Sequence, residues 1–375
     1  MRVAICTPEF GSEPGQPVGG VAAATEWLIR GLLGVSPDID IHVVVTPASN
    51  GGTQSGWGEF PVSLYRVRRN RVRTQLGILG ASDVHGLLSH IRPDVVHVQG
   101  HASCIDGTKF PSVLTIHGIP EKDTLLRGGR FASLKSAFVG IRESGPRHRY
   151  AHLIAIANRV MEGVRKDCFK GVHAIPNAIN TDFFISGEPQ RSHLPVILQV
   201  GRVIRGKNVM GLVDAMAVLA REVPDVQLRV VGPEQDPEYA ERVRLRVREL
   251  GLEKQVLWLG ALGHEALFSE LKQARVLALP SLQETAPICI AEAHAMGVPV
   301  VANDVGGVAE MIEHGVNGML SRVGDIESLV SGLGAYVKDE EMARMHGKSG
   351  QHFAKRYHPE AVARATLEVY RRLLV

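Results

Sequence analysis

The sequence predicts an α/β protein of two Rossmann-like halves, each a mainly parallel sheet covered by helices, and three observations carry that expectation. Apolar β-branched runs recur along the chain with helical stretches between most of them, the pattern of strands buried on both faces. The first run, residues 2–8, meets a Gly/Pro-rich loop that closes on Gly19 and Gly20 ahead of a helical stretch at 21–33. Strand, glycine loop, helix is how a Rossmann-like domain opens. Midway, residues 185–195 are rich in Gly, Pro, Ser and charge, as a linker is, and an apolar strand starts afresh behind them. With 375 residues, 45% of them hydrophobic, the chain is long enough for two ordinary cores.

Composition excludes several classes. Cys6, Cys104, Cys168 and Cys289 are scattered, with no C-x-x-C pair, and each lies in or beside an apolar segment, so they read as reduced core residues. No apolar run approaches the ~20 residues of a membrane span, and the N-terminus lacks the basic flank and apolar core of a signal peptide. The expectation is a cytoplasmic protein. Net charge is only +3, but residues 60–150 hold 14 Arg plus Lys against 6 Asp plus Glu, a local +8 that leaves −5 for the rest. Nucleic acid is set aside as a partner, because the aromatics that would stack on bases are sparse there.

In the first half, further strands are expected at 41–46, 62–67, 94–99, 113–117, 153–157 and 173–175. Gly15, Gly19 and Gly20 do not spell G-x-G-x-x-G, and no acid closes a second strand at the dinucleotide-binding distance. Asp38 and Asp40 form a D-x-D, but they precede their strand, whereas ligands in such sheets gather at the carboxyl ends of strands. They read as loop charges. His117 does end a strand at that edge; a lone histidine is more often structural, and His97 and His101 stand close by in sequence.

The second half opens with a strand at 196–200 and the stretch Gly201 to Lys207, which spells G-x4-G-K. A nucleotide-hydrolase P-loop would need Ser or Thr next, and Asn208 stands there instead. Strands follow at 226–232, 255–260 and 276–280. The chain is organised around residues 279–304: a polar turn carrying Glu284, Pro287 at a first helical position, a helix bearing Glu292, a stop at Gly297 and a strand from Pro299. A helix starting there offers unpaired N–H groups and a positive dipole end to a phosphate, with one acid on either side. Two glutamates at this spacing can also be ordinary solvated residues. Glu292, flanked by Ile290, Ala291, Ala293 and Ala295, needs a partner. The C-terminal stretch 359–374 reads as a helix with Ala361, Ala365, Val369 and Leu373 near helical spacing.

Glu284, seven residues, Glu292, then Ala293-x-Ala295-x-Gly297-x-Pro299-Val300-Val301 and Gly306-Gly307 resemble the donor-binding signature of retaining glycosyltransferases of family GT4, with the GT-B fold. Ile175-Pro176-Asn177 and Thr181-Asp182-Phe183-Phe184 resemble that family's interdomain linker, so the likeness spans nearly the whole chain. It implies an acceptor domain at 1–184, a nucleotide-sugar donor domain at 185–356, and a helix at 357–375 returning to the first, with a cleft between the sheets. It implies transfer of a hexose-type sugar from a nucleotide-diphosphate sugar, with retention, no cofactor and no metal.

Arg202 and Lys207 match the family's cations for the diphosphate, Glu284 its ligand for sugar hydroxyls, and Glu292 its ligand for the ribose. Gly19 and Gly20 would bring backbone N–H groups close to the donor phosphates or the acceptor, a plain tight turn being the other reading, while Ala286, Pro287 and Ile288 line the donor loop. His117 would touch the transferred sugar and His101 lie near the acceptor. Where the family commonly has Gly-Phe-Gly, this chain has Thr285-Ala286-Pro287, so one backbone donor is missing. The basic residues Arg66, Arg68, Arg69, Arg71, Arg73, Arg127, Arg130, Lys135, Arg142, Arg147 and Arg149 are by default a solvated face. Their clustering admits a small-molecule, glycan or lipid-linked acceptor that is anionic, or peripheral contact with an anionic membrane. Rival readings on the same fold are a sugar-nucleotide epimerase, a phosphorolytic enzyme or a non-catalytic nucleotide-sugar-binding protein.

Overall fold

The computed structural model describes residues 1–15, 19–48, 51–68, 81–118, 132–162, 164, 169–187 and 191–375. The chain forms two compact units: Met1–Ile179 with Pro359–Val375, and Asn180–His358. The division falls at 179/180 rather than 184/185, and the chain re-enters the first unit at Pro359 rather than at 357. The Gly/Pro-rich stretch belongs to the second unit because it is pinned there. Arg191 donates to the carbonyls of Ala274 (2.6 Å) and Gly297 (2.7 Å), and Ser192 N–H to that of Gln273 (3.2 Å).

The first unit is an eight-stranded sheet of β1 (Arg2–Thr7), β2 (Asp40–Ala48), β3 (Gly52–Trp57), β4 (Phe60–Arg68), β5 (Val95–Gln99), β6 (Ser112–Ile116), β7 (His152–Ala155) and β8 (Gly171–Ala174). Their order is β3-β4-β2-β1-β5-β6-β7-β8, parallel except for β3, which runs antiparallel to β4. The inner strands, rich in Val, Leu and Ile, are buried on both faces, as β5 and β6 show. β3 was not expected. Its sequence, GTQSGW, has no β-branched apolar residue, and it is held as a hairpin edge whose Trp57 is fully buried against Phe10 and Phe60. Asp40 starts β2 and is paired with Arg2 (2.6 Å), which accounts for it as a structural charge.

The helices of this unit are α1 (Gly20–Val35), α2 (Ala81–Ile91), α3 (Ala132–Arg147) and, from the far end of the chain, a C-terminal helix (Pro359–Leu373) that packs on α1. Their approach requires Gly31, where a Cβ would stand 2.3 Å from the Pro359 carbonyl oxygen. Of the expected apolar line, Val369 is buried and Ala365 and Leu373 pack against the core. Val362, Ala363, Thr366, Leu367, Val369 and Tyr370 point inward, while Ala361 is exposed. The buried set follows i, i+3, i+4 spacing around the bulky Leu367 and Tyr370, so the inward stripe is wider than that line.

The second unit is a six-stranded, all-parallel sheet of β9 (Val196–Val200), β10 (Gln227–Val231), β11 (Val256–Gly260), β12 (Val276–Leu279), β13 (Val300–Asn303) and β14 (Gly318–Ser321), in the order β11-β10-β9-β12-β13-β14. Read from its own first strand this is 3-2-1-4-5-6, the doubly wound dinucleotide-fold order, whose topological switch lies between β9 and β12. Six helices accompany it: α4 (Val209–Glu222), α5 (Pro237–Glu249), α6 (His264–Gln273), α7 (Ile288–Ala295), α8 (Ile326–Lys338) and α9 (Glu340–Ala354); the C-terminal helix is therefore α10. Leu212, Val213 and Met216 of α4 and Leu333 and Tyr336 of α8 fill one core with Ile197, Val230, Val276 and Val301.

Candidate functional site

The loops after β9 and β12 flank the switch point of the second unit. The first is a single 3-10 turn (Arg205–Lys207) that ends at Asn208, which is left-handed (φ 51°) and caps α4, its Oδ1 accepting the Gly211 N–H at 3.3 Å. Asn208 thus shapes the helix start that a P-loop would give to Ser or Thr. Gly232, after β10, lets this loop sit low on the sheet: a Cβ there would lie 2.0 Å from the Gly201 carbonyl oxygen.

The loop after β12 is fixed from three sides. Leu282 N–H donates to the Gly206 carbonyl at 2.9 Å, tying it to the first loop. Asn303, buried at the end of β13, donates from Nδ2 to the carbonyls of Pro280 (2.8 Å) and Ser281 (3.1 Å), and its Oδ1 accepts from the Ser321 hydroxyl at 2.9 Å. Gly306, left-handed at φ 52°, approaches so closely that a Cβ would stand 1.7 Å from the Glu284 carbonyl oxygen.

These constraints bring Lys207 and Glu284 into an ion pair, with side chains only 17% and 10% exposed. Beside the pair is the start of α7. Pro287 does not occupy the first helical position; with ψ 119° it is the residue before the helix, which begins at Ile288. Proline's ring fixes φ but leaves ψ free to be extended, and as a cap it offers no side-chain acceptor. Ile290 N–H donates to the Pro287 carbonyl at 3.1 Å, and with no capping side chain the N–H groups of Ile288 and Cys289 are the ones a ligand can take. Ala286 is half-buried and Pro287 buried against this turn.

Glu292 lies one turn further into the helix between buried Ala291 and Ala293, and burial pushes its carboxyl up to about 7. It shares a neighbourhood with the pair: the thiol of Cys289, itself raised to about 12 by burial, feels Lys207, Glu284 and Glu292 together. Arg202, by contrast, is exposed and donates to Gln235 Oε1 at 3.2 Å. His294 on the same helix is structural, buried and held neutral by that burial (to about 4), its Nε2 donating to the Asn317 carbonyl at 3.1 Å.

Sequence reading missed Asn303, Ser321 and Gln199. The last is buried at the end of β9 with neither amide atom paired among the described residues. An Asn closing an apolar strand was the one available sign.

In the first unit the carboxyl ends of β1, β5 and β6 carry the remaining candidates. Gly19 is extended and precedes α1, and a Cβ there would meet Glu9 Oε2 at 2.8 Å; Gly20 is already the first residue of the helix. Buried Glu26 accepts from Gly15 N–H (2.8 Å) and pairs with Arg30 (2.8 Å), steadying the loop from within. His101 is exposed, 3.7 Å from Glu143, which is buried and accepts from Ala102 N–H (3.0 Å) and the Ser103 hydroxyl (2.8 Å). His117 is half-buried, kept neutral at about 4 by desolvation, with Nε2 2.6 Å from Gln99 Oε1.

Of the basic residues, Arg66, Arg68, Arg147 and Arg149 are described, Arg147 being buried. Arg69, Arg71, Arg73, Arg127, Arg130, the side chains of Lys135 and Arg142, and Cys168 lie outside the described residues. Among the described residues no three His, Cys, Asp or Glu side chains gather as a metal site would require, and no helix is long and apolar enough to cross a membrane.

Two Rossmann-like units, the second with a lysine–glutamate pair at its switch point, are the architecture of the GT-B fold. Solved structures agree on the architecture: sucrose-phosphate synthase from Thermosynechococcus elongatus superposes with a TM-score of 0.80 at 20% identity, covering 99% of this chain and 98% of that one. Anabaena HepE in complex with UDP superposes with 0.70 at 19% identity, covering 98% and 99%. The profile of "Glycosyltransferase Family 4" matches residues 18–183, and that of "Glycosyl transferases group 1" residues 180–353. Alpha-maltose-1-phosphate synthase of Mycolicibacterium smegmatis is 28% identical over the full length of both chains. The chain belongs to the group 1, family 4 glycosyltransferases and is an enzyme of that class.

Proposed function

We propose that this enzyme moves a hexose-type sugar from a nucleotide-diphosphate sugar to a hydroxyl acceptor with retention at the anomeric carbon and without a metal. The observation that carries the reading is the Lys207–Glu284 pair beside the uncapped start of α7, at the switch point of a 3-2-1-4-5-6 sheet. As the anomeric C–O bond breaks, its electron pair goes to the diphosphate, where the Lys207 ammonium and the first-turn N–H groups stabilise it. Arg202 is assigned to the same phosphates by family resemblance. Glu284 accepts hydrogen bonds from sugar hydroxyls, and Glu292 from the ribose diol.

The acceptor hydroxyl bonds to the same face of the anomeric carbon and gives its proton to the departing phosphate oxygen, so no protein base is required. His117, neutral, is assigned to a hydroxyl of the transferred sugar by family resemblance, and His101 to the acceptor side. Anabaena HepE in complex with UDP supports the donor class. The maltose-1-phosphate synthase relative, with the local +8 of residues 60–150, supports an anionic acceptor.

Uridine, guanosine and adenosine diphosphate sugars, screened by thermal shift, should include one that raises Tm, since a ligand of the folded state stabilises it by mass action. That donor, mixed with phosphorylated sugar acceptors and EDTA, should release nucleotide and give a product whose anomeric proton coupling matches the donor's. If no nucleotide-sugar shifts Tm and none is consumed, the proposal fails.

Glu292 supplies a separate check. Its folded-state pKa is raised from the ordinary 4.5 to about 7, so its contribution to stability is complete below about 4.5 and lost as pH rises through about 7. Hydroxyls donating to it favour the charged form and lower that pKa. Donor binding near pH 7 should therefore release protons, seen calorimetrically as a binding enthalpy that changes with the buffer's ionisation enthalpy. Glu292→Gln should abolish that dependence, and a buffer-independent enthalpy in the wild type would take Glu292 away from the ribose.

A further inference from the structure

The first unit buries a row of polar side chains behind His117. His97 and Gln99 of β5 and Thr115 of β6 project from one sheet face, the face that Tyr370 of α10 covers. Gln99 Oε1 lies 2.6 Å from His117 Nε2, and Gln99 Nε2 lies 3.2 Å from His97 Nε2. His97 Nε2 is also 2.6 Å from the Thr115 hydroxyl, and His97 Nδ1 is 2.6 Å from the Tyr370 hydroxyl. Tyr370 is 0%, His97 1% and Gln99 2% exposed. Desolvation holds His97 at about 3 and His117 at about 4, so each ring carries one hydrogen at neutral pH.

We propose that Gln99, His97 and Tyr370 form one proton-ordered chain that fixes which ring nitrogen of His117 bears hydrogen, placing it on Nδ1. The order is set at the buried end. The Tyr370 hydroxyl has one acceptor among the described residues, His97 Nδ1. A buried O–H left without an acceptor costs about 1–3 kcal/mol, so its proton goes there. His97 then carries its hydrogen on Nε2 and donates it to Thr115, whose own proton can turn into the small cavity that Thr115, His97, Gln99 and His117 line and Tyr370 does not.

A half-turn of the Gln99 amide, which leaves its shape unchanged, then sets its oxygen toward the His97 N–H and its NH2 toward His117 Nε2. His117 Nε2 becomes an acceptor, and Nδ1–H is left to donate. The opposite order would strand the tyrosine proton. Gln99 and His97 are positioning residues, and Tyr370 makes the returning helix part of the same assembly. The consequence for turnover rests on the assignment of His117 to a sugar hydroxyl; the proton order does not.

The full-length protein labelled with 15N-histidine separates the two. Long-range 1H–15N spectra should show His117 protonated on Nδ1 in the wild type. Gln99→Glu, which can only accept when ionised, should move that hydrogen to Nε2, raise the His117 pKa, and lower kcat at least tenfold with little change in donor KM. Gln99→Leu, if it folds, should give a mixture of tautomers. A wild-type His117 carrying its hydrogen on Nε2, or one whose tautomer ignores Gln99→Glu, overturns the proposal. A tautomer shift with unchanged kcat leaves the chain standing and removes His117 from the chemistry instead.

Discussion

Lys207→Ala should cut kcat by two to three orders of magnitude, the ~3–4 kcal/mol typical of losing one preorganised donor to a developing oxyanion. The side chain is mostly buried and its ammonium is matched to the Glu284 carboxylate. Removing it does two things at once: it takes away the cation proposed to face the leaving diphosphate, and it leaves a mostly buried carboxylate without its partner. An uncompensated buried charge is expensive, and like charges repel, so the single variant should bind donor worse than the loss of one contact implies.

The double variant Lys207→Ala/Glu284→Gln should recover part of that binding but little of the turnover. Glu284→Gln alone should bind the bare nucleotide diphosphate more tightly than wild type while turning over more slowly. A double-mutant cycle on nucleotide affinity and on released nucleotide reads both effects. Lys207→Ala within threefold of wild-type kcat would remove the diphosphate from this end of the sheet.

What the sequence discloses and what it withholds divide by distance along the chain. Strands rich in Val and Ile, the glycine stops and the Glu284–Glu292 spacing are local signals, and the parallel strands, α7 and the loop after β12 fall where those signals stand. β3 escapes because a hairpin edge can be built from Gly, Thr and Ser once its neighbour supplies the hydrogen bonds. The full width of the inward face of α10, with Thr366 and Tyr370 in it, escapes because it is completed by α1 and β5, more than 250 residues away.

Composition marked residues 185–195 as a linker, yet Arg191 and Ser192 are fastened to the second unit. Charge type singled out Lys207, Glu284 and Arg202 alike, and folding pairs the first two while Arg202 donates to Gln235. Asn303 and Gln99 act through atoms brought together by folding, and nothing in their immediate sequence says so.

Gly306→Ala should remove at least 100-fold of the activity, and it can be separated from an ordinary loss of stability. Any side chain at φ 52° costs about 1–2 kcal/mol of backbone strain. Gly315 measures that cost alone, since it too is left-handed (φ 77°) but has nothing within 4 Å of where a Cβ would be. Gly315→Ala should therefore lower Tm modestly and leave kcat intact. At Gly306 the Cβ would stand 1.7 Å from the backbone oxygen of Glu284, so the loop after β12 must retreat by more than an ångström. The Asn303 and Leu282 hydrogen bonds resist that retreat, and the strain falls on the Glu284 side chain and its pairing with Lys207. A displacement of about 1 Å at a positioned group can cost 100-fold in rate. Circular dichroism, Tm and kcat on the two variants decide the matter. If Gly306→Ala keeps its activity, or if both variants lose it in proportion to Tm, then the carbonyl contact does not set the position of Glu284.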